Sequence, residues 1–488
     1  MRAGRVVTVG TLAVARPGLP WRLPALWMTA ALVLGGLVLV AAGHPHAVAS
    51  PAVLGVAVVL FALHGLLLWR VVHGLDLPVR RPAWLRATAL AWGGLVAIGV
   101  AGYANSWVSA ALVKSVPPEL AVHLTPLRAP TVEESVKLLG VVTLVLLAGR
   151  RLSGPLDGLF YGALVGLGFQ ELENVHYALA AGHHHTALAA LGSFLGRGVL
   201  TGWATHVAWT AVVGAGLGWA VQHRDRPWPA RLGVVAAAFG CSWTLHALWN
   251  SRLGVAGLHH GTSELLRLAG LNLLGLAPAA LVTWLALRGE ARRCARGLAA
   301  LADAAVAVDA EIAVLGSPVR RFRIRWEAYV LGGRASARAV RRLHRAQTAV
   351  GLSVADAPGS AELAGLRAAV VAVRGQLAAA RLGPLEERRG GTVGGEVALA
   401  VGLVAPVGLW VASALGLVAL KVPATSVTAG GLAVVGVAAL LLAGRAVCAA
   451  RRAGAVADVR YGIAGLLGVV TLVLAAVFGG QLLMLVFA

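Results

Sequence analysis

Long apolar runs separated by short polar segments set the pattern of this chain. A helix that crosses a bilayer needs about 20 mostly apolar residues. Eleven runs have that character: 23–43, 52–72, 83–103, 132–149, 157–181, 198–221, 231–250, 267–287, 397–418, 426–445 and 461–486. The expectation is an all-α, polytopic transmembrane helical bundle of about eleven spans. Residues 1–287 read as one eight-helix block and 396–488 as three further transmembrane helices. Between them, 288–395 is rich in Ala and Arg and broken by "GSP", "LGGR" and "DAPGS", which predicts an α-helical insert of two to four helices.

Composition agrees with the pattern. Of 488 residues, 58% are hydrophobic and only 13% charged, with a mean hydropathy of +0.79, which excludes an ordinary soluble domain. The first run is long enough to stay as a signal anchor. Low Lys against abundant Arg, Ala, Val and Gly fits a GC-rich bacterial genome. The three cysteines form no CxxC and suggest no disulfide framework.

A net charge of +22 raises the question of nucleic acid. Its distribution answers it. Arg70, Arg80, Arg81 and Arg86, then Arg150 and Arg151, then Arg224, Arg226 and Arg231 fall in alternate loops, and 18 arginines lie in the insert. This is the positive-inside pattern of a multi-pass plasma-membrane protein. It predicts a cytosolic N-terminus and insert, an extracytoplasmic C-terminus, the lipid bilayer as partner and no nucleic acid. Within the insert, Phe322, Trp326 and Tyr329 sit at i, i+4, i+7 amid Arg320, Arg321, Arg323 and Arg325. Such a face suits anionic lipid, a partner helix, or a packed hairpin with a solvated basic side.

Ionisable groups inside a membrane are costly, roughly 2.5–3.5 kcal/mol each on insertion scales, and mark functional sites. Four consecutive runs carry them together. The fourth opens "TVEESVKLLG", with Glu133 and Glu134 in its first turn and Lys137 within pairing distance of either. The fifth contains "GLGFQELENVHYAL", where Phe169, Glu173, His176 and Tyr177 share one face and Glu171 points elsewhere. Asp157 is expected to cap this helix. The sixth places His206 and the seventh His246, with Asn250 one turn beyond. Under the predicted topology Glu173 and His206 are each eight residues from the outer helix end, about 12 Å deep. Glu133, Glu134 and His246 lie near outer ends too, so one extracytoplasmic-side site is expected.

Two chemistries suit such a site. Glu133 or Glu134 can take a proton from water attacking a peptide carbonyl, with His and Asn stabilising the oxyanion. Alternatively His206, His246 and Glu173 bind Zn2+, with a remaining glutamate as base. No HExxH decides between them. The "HHH" run at 183–185 reads as a solvated loop. A proton- or ion-coupled transporter, or an inactive membrane scaffold, is the alternative function.

At these residues the chain resembles the PrsW family of intramembrane proteases, related to the CAAX prenyl endopeptidases and bacteriocin-processing enzymes. "EESVK" at 133–137 matches the family's paired glutamates and lysine. "DGLFYGALVGLGFQELENVHY" matches its second motif, and His206 in "HVAWTAVVG" and His246 in "HALWN" match the later histidines. The motifs span roughly 131–252. The resemblance implies a multi-pass endopeptidase cutting a membrane-protein substrate in or near its transmembrane segment. An anti-sigma factor is one such substrate in the family. It implies Glu133, Glu134, Glu173, His206 and His246 as the catalytic set, with Asn250, Lys137 and Asn174 accessory.

Overall fold

A computed structural model of the chain describes residues 24–43, 51–74, 81–149, 152–181, 187–251, 262–356 and 361–379. The histidine run, the last part of the insert and the three final runs lie outside the described residues. Among the described residues the fold is all helical, with no strand.

Among the described residues nine helices build the first unit: α1 (Pro24–Gly43), α2 (Pro51–Gly74), α3 (Ala83–Ser115), α4 (Pro118–Ala148), α5 (Pro155–Ala181), α6 (Ala187–Ser193), α7 (Thr205–Gln222), α8 (Trp228–Asn250) and the 268–287 part of α9 (Thr262–Leu301). Among the described residues five helices, containing Ala25–Ala42, Pro51–Gly74, Ala83–Ser115, Trp228–Asn250 and Gly270–Leu301, are long and apolar enough to cross a membrane. That is fewer than the runs read from the sequence. The described helices α4, α5 and α7 are not among the five, and α4 and α5 carry the site's charged residues.

Several run boundaries differ from the sequence reading, the eighth run continuing to Leu301. The third run continues to Ser115 through a π-helical turn, Trp92–Ala97. The fourth begins far earlier, at Pro118, and carries Pro126 and Pro130 inside the helix. Proline normally ends a helix, so the apolar pattern alone placed the start near 132. The sixth run is interrupted. A π-helical turn, Phe194–Thr201, ends at Gly202, and α7 starts afresh at Thr205. His206 therefore lies in the first turn of α7, not eight residues inside a continuous helix.

Helix α5 is the central element. Its "GLFYGALVG" stretch puts Gly158, Gly162 and Gly166 on one stripe, against Gly214, Thr210 and His206 of α7. The backbones touch: a Cβ on Gly158 would lie 2.0 Å from the Gly214 oxygen, and one on Gly166 2.1 Å from the His206 oxygen. Small residues at i, i+4 spacing let membrane helices approach this closely, where dispersion and packing replace the hydrophobic effect as the cohesive term. Around this seam, Leu85, Trp92, Leu144, Phe160, Leu164 and Ala211 belong to one buried cluster. At the start of α5, Asp157 accepts from the Ser153 amide (2.9 Å) and hydroxyl (3.0 Å) and pairs with Arg81. It thus satisfies a backbone donor at the helix start.

The second unit contains the 288–301 part of α9, then α10 (Asp309–Leu315), α11 (Pro318–Asp356) and α12 (Ala361–Ala379). Cys294, Leu298, Val306, Leu315, Val350 and Val370 lie in its core. Gln347 donates to the Val306 carbonyl (3.0 Å) and to Glu311 (3.1 Å), and Arg374 pairs with the same glutamate. Arg367 pairs with Asp303 and holds its carboxyl below the usual carboxylate range. Gly333, at φ 68° and ψ −162°, breaks α11 into two segments.

Candidate active site

The "EESVK" stretch of α4 places Glu133 and Glu134 one turn before Lys137, all three pointing into the bundle. Lys137 is fully buried and Glu134 is 1% exposed. The Lys137 ammonium donates to Glu134 Oε1 at 2.7 Å. It also lies 2.9 Å from His206 Nδ1 and 3.9 Å above the Phe169 ring. An ammonium has three donors and no acceptor, so all three find partners: a carboxylate, an imidazole nitrogen and an aromatic face. Glu133 Oε2 is 3.9 Å from the same nitrogen.

Those contacts fix the tautomers. Nδ1 of His206 must accept from Lys137, so Nε2 carries the proton and donates to Glu173 Oε2 at 3.2 Å. His246 is the reverse. Its Nδ1 faces Glu134 Oε1 at 2.9 Å and donates, because a carboxylate only accepts. The Nε2 lone pair of His246 is left 3.8 Å from Glu133 Oε2. The Ser242 hydroxyl, one turn before His246, donates to Glu134 Oε2 at 2.7 Å. Glu134 thus receives three donors. Glu133 receives one, from the Asn105 amide at 3.2 Å, and its Oε2 is buried without a hydrogen-bond partner.

The remaining carboxylate is held from the far side. Arg197 donates to Glu173 Oε2 at 2.6 Å and to Asn174 Oδ1 at 3.0 Å, and it lies 3.8 Å over the Tyr177 ring. It projects from the π-helical turn before the break. Gln170 pins that break by donating to the Trp203 carbonyl at 3.0 Å. Trp209 packs against both histidines, whose rings are 5.0 Å apart.

The structure therefore brings Glu133, Glu134, Lys137, Glu173, His206 and His246 together, with Asn174 holding Arg197. His176 is exposed and Asn250 is half-buried at the end of α8. Glu171 faces a different partner, His64 of α2, at 2.9 Å. Sequence reasoning missed Arg197, Ser242 and Asn105. Arg197 had the clearest signal, an isolated charge in an apolar stretch.

Ligand atoms of Glu133, His206 and His246 all lie within 4.8 Å of one another. Glu173 instead touches His206 Nε2. A carboxylate with two imidazoles is a common catalytic zinc donor set, and the orphaned Glu133 Oε2 facing the His246 lone pair fits a cation. Three carboxylates against one ammonium and one guanidinium also leave the cluster net negative with neutral imidazoles. His206 fits once Lys137 leaves Nδ1, since Nε2 carries the proton given to Glu173.

Residues 81–282 match the PrsW family of intramembrane metalloproteases. That stretch, α3 into α9, is similar to the family's intramembrane metalloproteases. No curated protein and no solved structure is significantly similar to it.

Proposed function

We propose that the protein is an intramembrane endopeptidase that activates water at a centre formed by Glu133 and His246 and cuts a membrane-protein substrate in or beside its transmembrane segment. The observation that carries this reading is the contrast between the paired glutamates. Glu134 is saturated by Lys137, His246 and Ser242, which suits an orienting carboxylate. Glu133 keeps one buried oxygen without a donor, which suits an acceptor for water or a cation.

Glu133, His206 and His246 would hold a divalent cation such as Zn2+, and a bound ion of this kind polarises a carbonyl and lowers the pKa of water. The chain's own residues do the rest. Glu134 fixes the His246 tautomer so that Nε2 presents its lone pair. Lys137 holds Glu134 and would have to leave His206 Nδ1 before that ring could meet the ion, while Glu173 orients the ring from the Nε2 side. Arg197, 31% exposed at its side chain, is the cation through which a substrate carbonyl gains a charge-assisted donor.

The protein sits in this reading in the plasma membrane of a bacterium, with the insert cytosolic and the site opening toward the extracytoplasmic side, as the arginine distribution indicates. A single-pass protein such as an anti-sigma factor is the expected kind of substrate. The test is quantitative proteomics of truncated membrane proteins in cells expressing wild type or Glu133→Gln at matched abundance. Fragments ending in or just outside a transmembrane segment are expected with wild type only. Their equal presence with the folded variant overturns the assignment.

A further inference from the structure

The second unit carries a surface that proteolysis does not use. The first segment of α11 has two unlike faces. On one, Ile324 and Ala328 are buried and pack with Val340 and Val314. On the other, Val319 is 70% and Phe322 47% exposed. Trp326 and Tyr329 continue the same stripe, half-buried, with rings 5.8 Å apart. At 100° per residue these four positions fall within a narrow arc. Arg320 and Arg323 flank it on one side and Arg325 on the other. A basic hairpin packed by its own aromatics would have covered Phe322; here it is in the open.

Beyond Gly333, Arg334, Arg338, Arg341, Arg342 and Arg345 are all exposed at helical spacing on one face. No acidic residue stands in 328–355. The helix that precedes this unit, α9, has a membrane-length apolar segment and runs on without a break to Cys294 and Leu298 in the unit's core.

We infer that α11 is an interfacial element: Val319, Phe322 and Trp326 enter the headgroup region of an anionic membrane, and the arginines bind its phosphates. Large apolar and aromatic side chains beside guanidinium groups are the composition of helices lying in the bilayer interface. Basic groups next to a membrane are drawn to acidic lipid. The exposed apolar stripe selects lipid over nucleic acid, which would leave Val319 and Phe322 in water. The inference needs only the membrane assignment and is independent of the catalytic reading.

The experiment places an environment-sensitive fluorophore at Phe322→Cys in the full-length protein, with Cys241 and Cys448 changed to serine and the buried Cys294 left in place. The protein is reconstituted in nanodiscs of phosphatidylcholine alone or with phosphatidylglycerol. A blue shift and quenching by nitroxide-labelled lipid are expected with phosphatidylglycerol. Both are expected to be lost in phosphatidylcholine, and lost again when Arg334, Arg338, Arg341 and Arg342 are changed to Gln. A water-like signal in both membranes overturns the inference. So does a shielded signal that lipid quencher cannot reach, which would mean a protein segment or partner covers the stripe. Insertion independent of lipid charge overturns the role of the arginines.

Discussion

Replacing Gly166 by alanine tests whether backbone contact between α5 and α7 sets the site. A Cβ at this position would stand 2.1 Å from the His206 carbonyl oxygen, against about 3.4 Å for ordinary contact. The two helices must therefore part by about 1.3 Å beside the histidine itself, the difference between those distances. Carried through rigidly, this lengthens the His206–Glu173 contact from 3.2 Å to about 4.5 Å, outside hydrogen-bond range. Overpacking of this kind costs about 1–3 kcal/mol, and an approximately 1 Å displacement of catalytic groups costs about 100-fold in rate. Thermal unfolding of the purified protein in detergent and substrate-fragment yield in cells read the two effects separately. Gly240→Ala, on α8 with nothing within 4 Å of the new Cβ, is the control and should stay within about 0.5 kcal/mol of wild type. A Gly166→Ala protein with wild-type unfolding and wild-type fragment yield would refute the seam argument.

Three other outcomes follow from the same geometry. Lys137→Met leaves Glu134 buried without its ion partner, which costs about 3–5 kcal/mol. Combining it with Glu134→Gln should recover much of that stability in the same melt, and failure to recover contradicts the pairing. Ser242→Ala strips a donor from a buried carboxylate oxygen, at roughly 1–3 kcal/mol, and should lower fragment yield although serine touches neither histidine in our account. For the metal, mass spectrometry of the purified wild type should find a divalent ion that Glu133→Gln and His246→Ala each lose. Retention in both variants would move the ion to another site.

Most of the site could be read from the chain because charge in an apolar run is conspicuous. Glu133, Glu134, Lys137, Glu173, His206 and His246 all stand out in that way, and helical phase separated Glu171 from Glu173. The structure turns Glu171 to His64, as the phase requires. Other parts were hidden for physical reasons. Ser242 is a common small residue whose partner lies on another helix, 108 positions away. The glycines of α5 look like ordinary apolar spacers until α7 is placed against them. The break at Gly202 occurs in a stretch with no proline or charge cluster, so hydropathy runs through it. Conversely, Pro126 and Pro130 suggest a helix end where α4 continues. Thr131 and Ser135 donate to the carbonyls one turn back there, at 2.7 and 2.6 Å, inside a helix that neighbouring elements hold in place.

The central claim is that this buried centre hydrolyses a peptide bond with water activated between Glu133 and His246. Once fragment proteomics has supplied a substrate, purified protease and substrate can be placed together in proteoliposomes made up in oxygen-18 water. Wild type is expected to release a fragment whose new C-terminal carboxylate carries the label, and folded Glu133→Gln to release none. Cleavage by Glu133→Gln at the wild-type rate, or an intact substrate with folded, metal-replete wild type, would contradict it.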